Sequence, residues 1–412
     1  MSYESLEDFY SEILGLTEDW QVLSVIRDPK EKEVRVSVEH ADPASGKCPL
    51  CGLAMPIHDS AMRRWRHLDS CNHKTFIEAT IPRVKCSEHG VHQVTVPWAC
   101  KNSRFTLELE RQICLWLNNA SISAVAFMFG LSWDIVAGIQ GRAVKRGLKN
   151  RSVIKTQNIG IDETSFKKRH EYVSVILDKE TNTVIDILQD RKASSLDYWF
   201  KTQEMADFTD IQSISMDMWD AFIKAVKANF ANADTLIAFD RYHVSQHIGK
   251  AVNKVRAIEH RQLLSKYGKS QLAGTKYDWL RTSSNIDNRE NSRREFLKLA
   301  RMNLKTARAW RIKETASLLW NFTYMGVADR RWKELLGWMF RSRLEPIINV
   351  ARTIKSYYWG IQNAIRLKAN NAKLEAVNSG IQRVKKMACG FRNRERFRMA
   401  ILFHFGGLDF GF

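Results

Sequence analysis

No uninterrupted apolar run in this chain of 412 residues approaches the roughly 20 residues that a helix needs to cross a bilayer. The amino terminus, Met-Ser-Tyr-Glu-Ser-Leu-Glu-Asp-Phe, is acidic and lacks the apolar segment of a signal peptide. A disulfide framework is also disfavoured, because the seven cysteines are odd in number and unevenly spread. These absences argue against a membrane-spanning or secreted protein and predict a reducing, cytosolic setting.

Acidic residues are too few to balance the basic ones. The chain has 64 Lys and Arg against 45 Asp and Glu, a net charge of +19. Such a surplus favours a polyanionic partner and salt-sensitive binding, with a membrane surface as the weaker alternative. At 412 residues, 44% of them hydrophobic, the chain is long enough for two to four domains with their own cores.

A β-rich block from Asn158 to Val244 places acidic residues at the predicted ends of its strands. An apolar run leads to Asp162, and two further strands follow, joined by the turn-type stretch Asp178–Asn182. After a helix, another strand runs into Asp217, and after a second helix a last strand delivers Asp240. The order β-β-β-α-β-α-β predicts a ribonuclease-H-like domain.

Carboxylates in this arrangement suit phosphodiester chemistry. They can hold two Mg²⁺ or Mn²⁺ ions about 3.5 to 4 Å apart, which neutralise charge on the attacking and leaving oxygens. Asp162 and Asp217 are the predicted first and second acids. The best candidate for the third is Glu375, which shares a polar helix face with Asn378 and Gln382. We expect these two amides to orient DNA near the metals.

Two assignments in this block stay open. Asp217 and Asp240 both end predicted strands, and Asp217 is favoured because it ends the fourth strand, where such folds place their second acid. His243 either hydrogen-bonds within the core or contacts the scissile phosphate. A lone aspartate at a strand end is more often a turn or helix-cap residue, so the prediction depends on three acids in this order.

Two short motifs, Cys48-Pro-Leu-Cys51 and Cys86-Ser-Glu-His89, each leave two residues between candidate ligands. Together they predict a tetrahedral Zn²⁺ site of three thiolates and one imidazole. Buried free cysteines are the alternative. Rival ligands with poorer spacing are Cys71, His73 and His92.

Helical periodicity after Phe105 predicts one helix and then a helix-turn-helix, Ser121–Phe129 and Trp133–Arg142, around a break at Gly130. Plain helical packing is the alternative. In the helix-turn-helix reading, exposed residues of the second helix lie nearest a DNA groove. The candidates are Asp134, Gln140 and Arg142.

Two basic stretches are further DNA-contact candidates. The first lies between the cysteine motifs and either contacts the DNA backbone or forms a solvated strand face. It contains Arg63, Arg64 and Arg66. The second flanks Glu375, so phosphate contact is favoured over a solvated face. It contains Lys385, Lys386, Arg392 and Arg394.

The segment between Asp217 and Glu375 is mostly helical by pattern, which predicts an insertion in the ribonuclease-H fold. Its tryptophans are predicted to pack in the core rather than stack on an unpaired base. The predicted divisions are an N-terminal helix and strand (1–40), a zinc module (41–100), a helix-turn-helix (101–150), a first catalytic part (151–250), the insertion (251–365), and a last catalytic helix with a basic C-terminus (366–412).

Several stretches together resemble bacterial insertion-sequence transposases of the ISL-three family. They are Ile161-Asp162-Glu163, Met216-Asp217-Met-Trp219, Phe239-Asp240-Arg-Tyr-His243, Leu272-Ala-Gly-Thr-Lys-Tyr277, Glu375-Ala-Val-Asn-Ser-Gly380 and Cys389-Gly-Phe-Arg-Asn393. With the cysteine-rich segment, the resemblance covers nearly the whole chain. It implies an acidic triad of Asp162, Asp217 and Glu375, with Asp240 and His243 in a signature beside it.

The resemblance implies a DDE transposase that cleaves and transfers DNA strands. Its partners would be double-stranded DNA, both the terminal repeats of the insertion sequence and the target DNA. The family's zinc module is taken to help bind the element's ends. The need to hold two ends predicts a homodimer on DNA, in the bacterial cytoplasm at the nucleoid. Two other classes stay open: a structure-selective nuclease, and a non-catalytic DNA-binding regulator.

Overall fold

The computed structural model describes residues 5–167, 171–202, 206–285, 290–369 and 372–412. The chain divides into two compact units: unit 1, Met1–Gly147 with Phe410–Phe412, and unit 2, Leu148–Asp409. Within the described ranges no single helix has the length and hydropathy to span a membrane, although one pair of helices bent by 112° passes that test of length and composition together.

Unit 1 begins with a helix and a six-stranded sheet. The elements are α1 (Leu6–Ile13), β1 (Trp20–Asp28), β2 (Glu33–His40), β3 (Ser45–Lys47), β4 (Ala54–Arg66), β5 (Lys74–Cys86) and β6 (Gly90–Gln93). The sheet order is β1-β2-β5-β4-β3, with β6 paired to β5. Strict alternation in β2 buries Val34, Val36 and Val38. The sequence predicted α1 and β2 but not β1.

Three helices follow: α2 (Leu107–Leu117), α3 (Ile122–Phe129) and α4 (Trp133–Asn150). The side chain of Thr106 caps α2 and that of Ser121 caps α3. Gly130 ends α3 in the left-handed conformation, with φ of 60°. The predicted break is therefore confirmed. Helix α4 runs eight residues beyond the predicted end at Arg142, because its buried face continues through Val144.

Unit 2 is built on a five-stranded sheet. Its elements are β7 (Ile154–Lys155), β8 (Asn158–Lys167), β9 (Glu171–Asp178), β10 (Thr183–Leu188), α5 (Ala193–Thr202), β11 (Ala206–Asp207), β12 (Ser213–Met216), α6 (Asp220–Asn229), α7 (Ala233–Leu236) and β13 (Ile237–Phe239). The sheet order is β10-β9-β8-β12-β13, while β7 and β11 form a separate pair. Strands β8, β9 and β10 are antiparallel neighbours, and β12 is parallel to β8 and β13. The predicted order of the main elements is the observed one.

Helices make up the rest of unit 2. They are α8 (Arg241–Tyr267), α9 (Lys276–Leu280), α10 (Glu290–Arg301), α11 (Lys305–Leu319), α12 (Met325–Arg341), α13 (Glu345–Ser356), α14 (Tyr358–Arg366), α15 (Ala372–Met387) and α16 (Arg394–Phe405). One hydrophobic core joins the sheet to helices α8 to α14. Trp310 and Trp332 are buried in it, and Trp320, Trp338 and Trp359 are partly buried against it. Packing of these tryptophans is as predicted.

Helix α14 lies so close to β13 that only glycine fits at position 360. A Cβ on Gly360 would overlap the ring of Phe239, which is buried and packed edge-on against Tyr357 and Trp359. We expect Gly360→Ala to destabilise unit 2 by about 1–3 kcal/mol, as overpacking does. Thermal unfolding measures this. The matched control is Gly141→Ala in α4, where a Cβ meets nothing within 4 Å and the melting temperature should hold or rise. Equal melting temperatures for wild type and Gly360→Ala would contradict the packing.

Candidate functional site

The sheet of unit 2 brings three aspartates to one edge. Strands β12 and β13 are parallel and end in register, so Asp217 and Asp240 follow at the same edge. Strand β8 is parallel to β12 and pairs with it only as far as Gly160. Asp162 therefore lies just beyond the paired segment, next to the loop that carries Asp217.

Asp162 does not end its strand, and that prediction is wrong. Strand β8 continues to Lys167 because β9 pairs with its second half. Helix α15 satisfies the polar side chains there: Gln382 donates to Thr164 at 2.8 Å, and Lys385 donates to the carbonyl of Ser165 at 2.6 Å. Asp162 lies at the sheet edge because β12, the neighbouring strand, ends there while β8 continues.

His243, on the first turn of α8, lies among the three aspartates. Its nitrogens are 3.4 Å from Asp217, 3.6 Å from Asp162 and 3.9 Å from Asp240. Burial lowers the pKa of His243, but the hydrogen bond to Asp162 and the charges of the other two acids outweigh it and raise the pKa to about 9. A protonated imidazole at His243 places a positive charge beside the three carboxylates.

The three aspartates differ in their other partners. Asp162 accepts a hydrogen bond from the amide of Asn378 at 2.6 Å. Besides its contact with His243, the carboxylate of Asp217 accepts the backbone N–H of Met218, and the side chain keeps 31% of its exposure. Asp240 is buried and caps α8, accepting the backbone N–H of Tyr242 at 2.9 Å. Asp217 is thus the most accessible of the three and Asp240 the most constrained.

Glu375 lies on the first turn of α15, exposed to solvent. Partial burial of the carboxyl, and then the charges of Asp240 and Asp162, raise its pKa, and Glu375 lines the same cavity as Asp240. These acids are spread more widely than ligands of one ion. In the described ranges, the one His, Cys, Asp and Glu cluster with all ligand atoms within 4.8 Å lies in unit 1. An all-carboxylate donor set suits hard cations such as Mg²⁺ and Mn²⁺.

Two basic residues near the acids were not predicted. Lys179 is buried, donates to Ser215 at 2.7 Å, and lies close enough to Asp240 for that charge to raise its pKa against the larger effect of burial. Arg191 pairs with Glu163 at 3.1 Å, and its guanidinium lies 4.9 Å from the ring centre of Trp219. Both follow hairpin strands in turn-type sequence, so no periodic pattern marks them.

The cluster in unit 1 consists of Cys48, Cys51, Cys86 and His89. The sulfurs of Cys51 and Cys86 are 3.9 Å apart, and the Cys86 sulfur is 3.4 Å from Nδ1 of His89. Tetrahedral zinc with Zn–S bonds of about 2.3 Å would separate two sulfurs by about 3.8 Å. The donor set and its spacing therefore fit zinc.

Local backbone geometry prepares these thiols for a metal. Gly52 and Gly90, one residue after each motif, have φ of 74° and 79°, so both turns depend on glycine. Backbone N–H groups of Cys51 and Leu50 point at the Cys48 sulfur and lower the pKa of that thiol to about 6. The rival ligands Cys71, His73 and His92 are not in the cluster.

Three family models match parts of this chain. Residues 159–401 match a family model described as "Transposase" for ISL3, the ISL-three family. Residues 44–89 match the "zinc-finger of transposase IS204/IS1001/IS1096/IS1165", and 94–144 match the "Helix-turn-helix domain of transposase family ISL3". The chain belongs to the ISL3 family of transposases. The zinc-finger match and the four-residue cluster support zinc as a cofactor of this transposase.

Curated relatives span most of this ISL3 transposase. The transposase for insertion sequence element IS1001 of Bordetella parapertussis is 23% identical over 364 residues, 87% of this chain and 89% of the relative. The transposase for IS1557 of Mycobacterium tuberculosis (strain CDC 1551 / Oshkosh) is 25% identical over 379 residues, 84% of this chain and 83% of the relative. The chain is thus a DNA transposase with a DNA-binding helix-turn-helix.

The arginines of β4 differ in how free they are to reach DNA. Arg64 is exposed but pairs with Glu33 at 2.7 Å, and Arg63 donates to Gln93 at 3.3 Å. Arg66 is buried, pairs with Asp69 and donates to a backbone carbonyl. The structure corrects the prediction for Arg66, whose guanidinium holds the strand end together.

In the helix-turn-helix of this transposase, Gln140 is buried at 6% exposure, so its prediction as an exposed groove residue is wrong. It lies on the same face of α4 as Val136 and Ala143, which pack inward. Arg142 is partly exposed, but its Nε donates to the buried Glu110 at 3.1 Å. Asp134 is exposed as predicted.

The basic residues after Glu375 also fall into two groups, exposed cations and cations that are bonded to other residues. Lys386 and Arg392 are exposed. Lys385 is bonded to Ser165, and Arg394 pairs with Glu171 at 3.3 Å. Lys385 therefore joins α15 to β8, as Asn378 and Gln382 do.

Proposed function

We propose that unit 2 is a ribonuclease-H-like catalytic domain with a helical insertion over residues 251–365, and that it cleaves and joins DNA at the ends of its insertion sequence. The observation that carries the proposal is the convergence of Asp162, Asp217 and Asp240 on His243 at one sheet edge, with Glu375 beside them. Three antiparallel strands followed by two parallel ones support the fold assignment.

In this proposal Asp162, Asp217 and Glu375 hold two Mg²⁺ or Mn²⁺ ions. Such ions supply neutralisation of charge on the attacking and leaving oxygens of phosphoryl transfer. Asn378 fixes one oxygen of Asp162 and leaves the other facing His243. Asp240 acts as a positioning residue, since it caps the helix that carries His243.

Unit 1 is proposed to recognise the terminal repeats. Zinc held by Cys48, Cys51, Cys86 and His89 would fix the turns between its strands, and α3 with α4 would dock on DNA. Lys386 and Arg392 are the exposed cations of unit 2 proposed to contact the phosphate backbone. A homodimer would hold the two ends of the element together.

Strand cleavage and joining on DNA that carries the element's own terminal sequences, in Mg²⁺, tests the proposal. We expect cleavage at the ends and joining of the released 3′ end to a target, both lost in Asp162→Asn while end binding is retained. Cleavage without joining of a supplied 3′ end would instead identify a structure-selective nuclease. Binding without any cleavage would identify a DNA-binding regulator.

A further inference from the structure

A cavity of about 630 Å³ opens beside the acids of unit 2, between the start of α8 and the helical insertion. Asp240 and Glu375 form part of its wall, so it reaches the candidate active site. Its volume lies within the range of about 300–1,000 Å³ typical of small-molecule and cofactor sites. The proposed cleavage and joining of DNA assigns no role to this cavity.

The walls combine the groups that a nucleotide needs. Trp320, half-buried and packed edge-on against Trp332, lines the cavity with Phe322. Hydroxyl and amide groups line it as well, among them Asn321 and Thr282. Aromatic faces stack on bases, and amide or hydroxyl groups can bond to base edges.

Cations occur at the same cavity. Arg241 and Lys368 line it, and both are exposed. Neither side chain forms a hydrogen bond or an ion pair with a residue that the structure describes, although the charge of Arg241 acts on Glu375 and lowers the pKa of that carboxyl. Arg241 and Lys368 have no side-chain partner among the described residues and lie at the same cavity as Asp240 and Glu375. These charges suit a ligand that carries a phosphate on one side and an uncharged ring on the other.

We propose that this cavity receives a nucleotide extruded from the DNA duplex next to the scissile phosphate, with its base against Trp320 and its phosphate near Arg241 and Lys368. The proposal rests on the proposed function, since it takes the neighbouring acids as the place of cleavage. Extrusion would draw the strand toward Asp240 and Glu375 and so hold the phosphate in register with the acids. Unpairing a base costs free energy, which stacking on an aromatic ring offsets.

Photocrosslinking tests the proposal without requiring cleavage. Duplexes carrying the element's terminal sequence, each with one 5-iodouracil near the cleaved bond, are irradiated in complex with Asp162→Asn, and the attachment site is read by mass spectrometry. We expect crosslinks to Trp320 or Phe322 from one position within about two nucleotides of the cleaved bond. Crosslinks at no position, or only outside the cavity, would overturn the proposal.

Cleavage by otherwise wild-type protein gives a second readout. Trp320→Ala should lower cleavage about tenfold on intact DNA, and that deficit should vanish when the crosslinking nucleotide lacks its base, because nothing is left to stack. Trp338→Ala, another half-buried tryptophan of the insertion outside the cavity, controls for lost packing. Lys368→Ala, at an exposed position, should also weaken cleavage. An equal Trp320→Ala deficit on both DNAs would contradict the proposal.

Wild type that crosslinks in the cavity but never cuts would overturn the proposed function and leave the nucleotide site standing.

Discussion

Asp217→Asn is expected to lower cleavage of the element's ends by at least about 10³-fold, because loss of a ligand to a catalytic cation forfeits about 4 kcal/mol or more of transition-state stabilisation. Asp240→Asn is expected to lower cleavage less, by about 10–100-fold, as changes to residues that contact metal ligands without binding the metal do. The difference follows from their surroundings. The side chain of Asp217 is partly exposed and accepts a backbone N–H, whereas Asp240 is buried and caps α8.

Asparagine is the informative substitution at both positions. It caps a helix about as well as aspartate, so Asp240→Asn keeps the start of α8 and removes only the charge beside Lys179. Cleavage rates at saturating Mg²⁺, together with end-binding affinity, make the comparison. Asp220→Asn is the matched control, an exposed acid three residues from Asp217 that accepts a hydrogen bond from Tyr357. We expect it to cleave like wild type.

One observation favours the opposite assignment. Among the aspartates, Asp240 raises the pKa of Glu375 most, after burial, so these two carboxylates are neighbours. They also line the same cavity. Should Asp240→Asn be inactive and Asp217→Asn retain cleavage, the metal ligands would be Asp162, Asp240 and Glu375.

Local patterns in the sequence predicted the elements that depend on local chemistry. The hairpin between β9 and β10 turns at Asn182, which has φ of 62°, a conformation that asparagine tolerates. The break at Gly130 and the two cysteine motifs are likewise set by turns of a few residues. In each case the signal and the turn that it specifies lie within one short stretch of chain.

The wrong predictions share another cause. The apolar run that leads to Asp162 suggested a strand end there, yet the strand continues through Thr164 and Ser165, whose partners Gln382 and Lys385 are over 200 residues away in the chain. Arg142 seemed free for DNA but is paired with Glu110, on a helix that precedes it by about 30 residues. A polar residue is exposed or buried according to partners that composition and periodicity do not identify.

Cys86→Ser is expected to remove zinc from unit 1 and to disable binding of the element's ends. Cys86 ends β5, is buried in the same core as Cys48, and lies between Cys51 and His89. Structural zinc in finger peptides contributes about 10 kcal/mol or more, and three remaining ligands cannot close a tetrahedral site. Metal content by mass spectrometry should fall from about one zinc per chain to near none.

The effect of zinc loss on the stability of each unit distinguishes a structural metal from an incidental one. Unit 1 has its own hydrophobic core and unit 2 has another, so we expect unfolding to begin at a lower temperature in unit 1 while the transition of unit 2 is unchanged. Cys71→Ser is the matched control, since Cys71 is exposed and outside the cluster. It should keep both zinc and end binding. A full zinc equivalent in Cys86→Ser, or its loss in Cys71→Ser, would mean that the metal is held by a different set of ligands.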